Sequence, residues 1–166
     1  MKLLFILLAV LTLLPGCHTH SSADLKKDVL EKNKATALSV QQYFNNHDAN
    51  SIMRYMAADM IDYGDGSGPP AKGAEAKAFL QAYFMAFPDI KCENVMAIAE
   101  GNQVAVFADW TGTFKGEMMG IKPTGKAFKV KDVDLFTFNE EGKITEHHSV
   151  QSSETNMRQV GAVKAN

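Results

Sequence analysis

The chain has 166 residues, of which 46% are apolar and 22% are charged. This length and composition are usual for one globular domain with one core, and they argue against a disordered chain or two folded domains. The formal net charge is −2, so the chain lacks the basic surplus that neutralises phosphate groups, and nucleic acid is not expected as a partner. A small-molecule or protein partner is expected instead.

The chain begins with a short apolar run. After Lys2, residues 3–14 contain a single polar residue, Thr12, and the run is too short to span a bilayer as a permanent helix. It is typical of an export signal. The run ends in Leu14-Pro15-Gly16-Cys17, which resembles the lipobox of bacterial lipoproteins, where cleavage occurs before a cysteine that carries a lipid. An ordinary secretory signal with a chance cysteine is the alternative.

The lipobox resemblance implies a domain organisation and a location. The expected segments are a signal peptide (residues 1–16), a tether that begins with the lipidated Cys17 (17–24), one domain (25–161) and a tail (162–166). A membrane partner is therefore expected through the lipid anchor, in the bacterial cell envelope. Because His18 rather than an aspartate follows Cys17, sorting to the outer membrane, facing the periplasm, is expected.

Three helices are predicted in the first half of the domain. Asp24 is predicted to cap a helix over residues 25–45, with an apolar face that includes Val29. Asp48 is predicted to cap a shorter helix that ends near Ala58, before a brief strand over residues 60–63. The third helix is predicted over residues 73–87, where it carries an aromatic stripe and ends at Pro88.

Between the second and third helices, residues 64–70 are rich in glycine and proline and are predicted to form a loop. Asp62 and Asp65 could suggest a calcium loop, but an EF-hand starting at Asp62 would need glutamate where Gly73 stands. That interpretation is rejected, and no metal site is predicted.

In the second half of the domain, the spacing of apolar residues changes from the helical period to the period of two that is typical of strands. Apolar residues alternate with polar ones over residues 95–99, 104–113, 127–138 and 143–151, with turn residues between these segments. Short turns between consecutive strands require antiparallel pairing. The predicted fold class is therefore α+β, with N-terminal helices packed on one face of a strongly curved antiparallel sheet. Cys92, just before this region, is predicted to be a half-buried structural residue.

One acidic residue in the predicted strand over residues 127–138 shares its parity with apolar residues. Asp134 alternates in step with Phe128, Val130, Phe136 and Phe138, so it is expected to face the apolar side of the sheet.

Two imidazoles follow on the next strand. If the turn pairs Phe138 with Lys143, the register places Asp134 opposite His147, and a bulge of one residue would offer His148 instead. Either pair could form an acid/base dyad. The alternative is that a twist or bulge turns both Asp134 and the neighbouring Asp132 to solvent.

Four segments of the chain resemble the SnoaL-like polyketide cyclase family. They are Phe87-Pro88-Asp89, Gly116-Glu117 followed by Gly120, Pro123-Thr124-Gly125-Lys126, and Gly142-Lys143-Ile144-Thr145-Glu146-His147. The resemblance covers residues 25–161 and is strongest over residues 87–147.

The resemblance implies a cone-shaped fold similar to nuclear transport factor 2, with an apolar pocket and pairing into homodimers. It also implies acid/base chemistry that needs no metal and no cofactor. The residues expected to line the pocket around a small apolar ligand are Tyr43, Tyr63, Phe84, Trp110 and Phe136.

The chain departs from the family pattern near its end. Where many members have a tryptophan and then an aspartate four residues later, this chain has His148 and Ser152. Binding of a small apolar ligand or a partner is therefore favoured over catalysis. The alternative is a metal-independent cyclase, isomerase or hydrolase that uses Asp134 with His147 or His148.

Overall fold

The computed structural model describes residues 21–163. Within this range four helices and six strands follow one another: α1 (Ser22–Asn45), α2 (Ala49–Met53), β1 (Met56–Asp62), β2 (Ala71–Lys72), α3 (Ala74–Ala86), β3 (Lys91–Glu100), β4 (Gln103–Thr113), β5 (Ala127–Phe138), β6 (Ile144–Ser149) and α4 (Ser153–Gln159). The predicted signal peptide, Cys17 and the first tether residues lie outside the described residues, as do residues 164–166. No helix between residues 21 and 163 has the length and apolarity needed to cross a membrane.

Helix α1 begins earlier than the sequence analysis predicted. Ser21, and not Asp24, is the N-cap: its hydroxyl accepts the Asp24 N–H at 3.2 Å, and the Asp24 carboxylate accepts the Ser21 N–H at 3.1 Å. This reciprocal pair is a capping box, which satisfies two N–H groups that would otherwise lack partners. The first turns of α1 lie outside the core, because Leu25 and Val29 are 55% and 53% exposed. Val29 is therefore not part of the buried face, contrary to the prediction.

The boundary between α2 and β1 also differs from the prediction. Asp48 caps α2 as predicted, since its carboxylate accepts the Ser51 N–H at 3.0 Å. The helix ends at Met53, however, and β1 already begins at Met56. Pairing of Met56 with β6 explains the early strand, because contacts with a distant strand override the local helical pattern.

The six strands form one sheet in the order β2-β1-β6-β5-β4-β3. The four consecutive strands β3 to β6 pair antiparallel as predicted, whereas β1 pairs parallel with β6. Strand β3 starts four residues before the predicted segment, and β6 is shorter than predicted at both ends. Strand β2 and helix α4 were not predicted. The predicted α+β class, with helices followed by a curved sheet similar to nuclear transport factor 2, is confirmed.

The core lies between the helices and one face of the sheet. Aromatic rings from three elements meet there: Phe87 lies 5.3 Å from Phe114 and 5.4 Å from Phe128, measured between ring centroids. Phe87 and Phe114 have no exposed surface. Burying one such side chain contributes about 1.5–3 kcal/mol to folding. The even-numbered residues of β5 that face this core are Phe128, Val130, Phe136 and Phe138. Asp134 is also even-numbered, so the alternation of the strand places it on the core face.

Among the residues that the structure describes, strand β3 near Cys92 and strand β5 near Lys129 each lack a neighbouring strand on one side. At both places a side-chain amide makes the backbone hydrogen bonds that a neighbouring strand would make. Asn45, at the end of α1, donates to the Cys92 carbonyl at 2.9 Å and accepts the Cys92 N–H at 2.8 Å. Gln159, at the end of α4, makes the same pair of bonds with the Lys129 backbone, at 3.2 and 2.8 Å. Both helices are thereby attached to the sheet.

Candidate acid–base site

The register between β5 and β6 differs from the predicted one. The Asn139 N–H donates to the Lys143 carbonyl at 2.9 Å and closes the turn. Phe138 therefore pairs with Ile144 and not with Lys143. A further irregularity after Thr137 then shifts the ladder. As a result Asp134 pairs with Ser149, and the predicted placement of Asp134 directly opposite His147 is wrong.

The predicted contact between Asp134 and His147 nevertheless forms. His147 pairs with Phe136, so its side chain is on the face of Asp134 and one diagonal step away, a distance that a long side chain can reach. The imidazole Nε2 lies 3.1 Å from Asp134 Oδ1, and the ring stacks on Phe136 with centroids 5.1 Å apart. Asp134 is buried, with 6% of its surface exposed, so the alternative in which it turns to solvent is wrong.

A second carboxylate, which the sequence analysis did not assign to the site, reaches the other side of the imidazole. Asp62, the last residue of β1, pairs with His147 in the parallel ladder, and its Oδ1 lies 2.9 Å from His147 Nδ1. The same oxygen accepts the Gly64 N–H at 2.9 Å. Asp62 shares strand parity with the buried Met56 and Met60, and that alternation is the signal that could have indicated it.

The imidazole is positively charged at neutral pH. Burial by itself would lower the pKa of His147, but the hydrogen bonds and negative charges of Asp134 and Asp62 outweigh burial and raise that pKa to about 10. Both ring nitrogens therefore carry hydrogen and donate, one to each carboxylate. For Asp62, burial is likewise outweighed by the hydrogen bond and charge of His147, which hold the pKa of this carboxyl below its usual value.

The three side chains differ in their access to solvent. Asp134 keeps 9% of its side-chain surface exposed, whereas His147 and Asp62 keep 20% and 23%. A molecule from solution would therefore reach the group from the Asp62 side. On the buried side, the Gln41 amide donates to Asp134 Oδ2 at 2.7 Å. We refer to Asp62, His147 and Asp134 as the carboxylate–imidazole triad.

Comparison with family models matches residues 34–160 to the family described as SnoaL-like polyketide cyclase. The chain belongs to this family. Among solved structures, AclR, a proposed hydroxylase from Streptomyces galilaeus, is 26% identical over 82% of this chain and 89% of AclR, with a TM-score of 0.69. A proposed SnoaL-like polyketide cyclase from Jannaschia sp. CCS1 is 25% identical over 82% of this chain and 96% of its own, with a TM-score of 0.71.

A proposed polyketide cyclase from Xanthomonas campestris pv. campestris shares the fold, with a TM-score of 0.72 at 18% identity over 80% of this chain and 98% of its own. No curated protein matches the chain.

The second histidine predicted for the site of this SnoaL-like domain lies elsewhere. His148 pairs with Leu135, so it is on the opposite face of the sheet from Asp134. Its ring stacks on Tyr63, with centroids 4.5 Å apart and planes 5° from parallel. His148 is therefore not a partner of Asp134, and the Tyr63 ring packs on His148 and not on His147. Adjacent strand residues point to opposite faces, and the observed register gives the inner face to His147.

Of the other predicted pocket residues, only Phe136 contacts the triad. Phe84 and Trp110 both pack edge-on against Phe44, with centroids 4.9 and 4.8 Å apart, and they belong to the core. Tyr43 lies against Tyr55 at 6.0 Å. Their role in ligand binding stays a prediction.

A concavity of about 240 Å³ in the described part of the SnoaL-like domain lies on the outer face of the sheet. Phe107, Val133 and Val150 are among its lining residues, and none of the five predicted pocket residues lines it.

Further polar groups lie near the triad. Asp132 accepts the Ser149 hydroxyl at 2.6 Å and the Gln151 N–H at 2.7 Å. Burial, together with the charge of Asp134, raises the pKa of Asp132. Burial also raises the pKa of Tyr83 well above its usual value, with the two aspartates adding to the effect. Tyr83 therefore stays a phenol and can only donate or accept a hydrogen bond near neutral pH.

Both ring nitrogens of His147 face carboxylates, which leaves no imidazole lone pair for a metal. Between residues 21 and 163, no group of three or more histidine, cysteine, aspartate or glutamate residues is arranged to hold a metal ion. The expectation that neither metal nor cofactor takes part in function stays a prediction.

Proposed function

We propose that this SnoaL-like protein is an acid–base catalyst that acts on a small, apolar carbonyl compound. One observation carries the proposal: the half-buried imidazole of His147 lies between two carboxylates, 3.1 Å from Asp134 and 2.9 Å from Asp62. Removing three charged groups from water costs several kcal/mol per ion, and apolar residues of similar volume would often be at least as stable. Clusters of buried groups with displaced pKa values are found most often at functional sites.

The proposed roles follow from the geometry. Asp134 is the base, because it is the most buried carboxylate of the triad and each of its oxygens keeps a second lone pair. It would take a proton from the carbon next to the substrate carbonyl. The resulting carbanion would attack a second carbonyl carbon, the C=O electron pair would move to oxygen, and that oxygen would take the proton back from Asp134. His147 would remain charged throughout and, because both of its N–H groups are bonded to carboxylates, would stabilise the negative charge on the substrate oxygen through its own positive charge and not through a hydrogen bond.

The replacement of the family's usual aspartate by Ser152 favoured binding without catalysis. In the structure Ser152 is the N-cap of α4, whereas Asp62 supplies a carboxylate from another strand. The presence of two carboxylates on His147 supports the catalytic alternative. The Jannaschia relative, described as a polyketide cyclase, supports a carbonyl substrate.

The test is hydrogen exchange at a carbon acid, because exchange requires proton abstraction but no ring closure. With 2-acetylnaphthalene in D₂O, the wild-type protein should accelerate deuterium uptake at the methyl group. Asp134→Asn should lose a factor of about 10²–10⁴, the usual contribution of a general base. His148→Gln is the matched control and should retain the full rate. If Asp134→Asn exchanges as fast as wild type, Asp134 is not the base. If wild type binds the ketone without accelerating exchange, binding without catalysis is correct.

We propose that the protein is lipid-anchored through Cys17 and faces the periplasm from the outer membrane. The lipobox resemblance of residues 14–17 supports this location. More than one acyl chain gives stable anchoring, at about 0.8 kcal/mol per buried CH₂. Cys17→Ser should move the protein from the membrane fraction to the soluble fraction. Equal membrane retention of the variant would contradict the proposal.

We propose also that the protein forms the homodimer that the family resemblance implies, and that the outer face of the sheet is its interface. Met96, Ile98 and Phe107 support this, because they are 53%, 54% and 38% exposed on that face, and exposed apolar patches of this kind mark interaction sites. Phe107→Glu should convert a dimer to a monomer in sedimentation equilibrium. Met119→Glu, at an 84% exposed loop position, is the control. A wild-type monomer would contradict the proposal.

A further inference from the structure

A glutamine occupies a core position of helix α1, next to the triad. Gln41 is 3% exposed and follows the buried Val40 and Ala37 on the same helix. A buried amide costs free energy unless its donor and acceptor are both bonded. Gln41 has both bonds: its Nε2 donates to Asp134 Oδ2 at 2.7 Å, and its Oε1 accepts the Cys92 thiol at 3.3 Å.

The Asp134 carboxylate and the Cys92 thiol together determine which way the amide points. A flipped amide would direct Oε1 at the Asp134 carboxylate, where two acceptors would repel each other, and would direct the NH₂ group at sulfur, a weak acceptor. The thiol keeps its hydrogen, because burial raises the pKa of Cys92 to about 12. Cys92 itself is held by Asn45, which bonds to its backbone N–H and carbonyl. Asn45 Oδ1 already accepts that N–H and lies 3.4 Å from the Cys92 sulfur, whereas Gln41 Oε1 lies 3.3 Å from it.

We propose that Gln41 is a positioning residue for Asp134, and that Cys92 orients the Gln41 amide for this task. The proposal rests on the proposed acid–base function. With Oδ1 held by His147 and Oδ2 held by Gln41, the plane of the Asp134 carboxylate cannot rotate. The lone pairs of Asp134 that accept no hydrogen bond are then held in fixed directions. A base needs this orientation to meet a carbon-bound proton at short distance.

The test observes the triad directly. In wild-type protein, proton NMR should show two downfield N–H signals from His147, one for each carboxylate. Gln41→Leu keeps the volume but removes the donor to Asp134. The Nε2–H signal, which reports on Asp134, should broaden or shift, whereas the Nδ1–H signal, which reports on Asp62, should stay. A general loss of stability would alter both signals. Gln42→Leu, at the exposed neighbouring position, should change neither.

A second pair of variants keeps the test decisive if Gln41→Leu does not fold. Cys92→Ala removes the donor that orients the amide and should reproduce the selective change of the Nε2–H signal. Cys92→Ser retains a donor and should restore the wild-type signal. Equal spectra for the alanine and serine variants would overturn the role of Cys92, and an unchanged Nε2–H signal in Gln41→Leu would overturn the role of Gln41.

The exchange assay separates this inference from the proposed function. Gln41→Leu should lower kcat for exchange by about tenfold or more and leave KM unchanged, because a misplaced base affects the proton transfer and not ketone binding. If Asp134→Asn loses exchange but Gln41→Leu does not, the positioning role is wrong and the proposed function holds. If neither the wild type nor any variant accelerates exchange, the proposed function itself is wrong.

Discussion

Replacing His147 by glutamine should remove a pH-dependent part of the stability of the protein. Glutamine can donate to one carboxylate but cannot carry the positive charge, so Asp134 and Asp62 would remain buried without a counter-charge. Breaking a buried ion pair in this way costs about 3–5 kcal/mol. The free energy of unfolding of His147→Gln should therefore be lower than that of wild type by about this amount near pH 6.

The pH range of the effect follows from proton linkage. The pKa of His147 is raised in the folded protein from 6.5 to about 10, so the folded state binds one more proton than the unfolded state between these values. The stabilisation is fully present below pH 6.5 and is lost as the pH rises through 10. Each pH unit in this window costs about 1.4 kcal/mol, so wild type should lose about 3 kcal/mol relative to His147→Gln between pH 7 and pH 9.

Urea denaturation followed by circular dichroism at pH 6, 7, 8 and 9 measures this difference. Tyrosine and lysine titration affects both proteins equally, so it cancels when the two free energies are subtracted. His148→Gln is the control, because His148 lies on the other face and is hydrogen-bonded to neither Asp134 nor Asp62. A difference between wild type and His147→Gln that stays constant with pH would refute the charged state of His147.

Three further predictions concern the fold and use urea denaturation. Phe87→Ala should cost about 3–5 kcal/mol, because the ring is fully buried, and a loss under about 1 kcal/mol would contradict this packing. Gly116→Ala should destabilise the protein, because a Cβ there would collide with the Met85 carbonyl, whereas Gly68→Ala should be neutral because its Cβ would meet nothing within 4 Å. Asp48→Ala should cost about 1 kcal/mol as the loss of an N-cap, and an unchanged midpoint would refute the cap.

The elements that local patterns could predict are those with a long, regular period. Strand β5 was predicted at its observed bounds because its apolar residues alternate over its whole length. Strand β2 has two residues and therefore no period. Helix α4 has no buried residue, so it lacks an apolar face. It depends on its Ser152 cap and on the ion pair of Glu154 with Arg158, at 2.7 Å.

The candidate site was predicted in part for a related reason. The parity of Asp134 with its apolar neighbours is local information and was sufficient to place it inside. The register was not local, because the irregularity after Thr137 depends on packing that no turn motif specifies. The alternation of Asp62 with Met56 and Met60 could indicate which face it is on, but not its partner, because it reaches His147, 85 residues further along the chain, through a parallel pairing that sequence periodicity does not reveal.

The amide side chains of Asn45 and Gln159 have a consequence for the behaviour of many copies of this chain. A strand with free N–H and C=O groups is a template on which a strand of another molecule can add, and repeated addition leads to fibres. On β3 and β5 each amide occupies the position that the first backbone bonds of an incoming strand would need. Near Cys92, β3 is also bent by Asn94, which has a φ of 54°. At high local concentration the protein would thus resist polymerising through its own sheet.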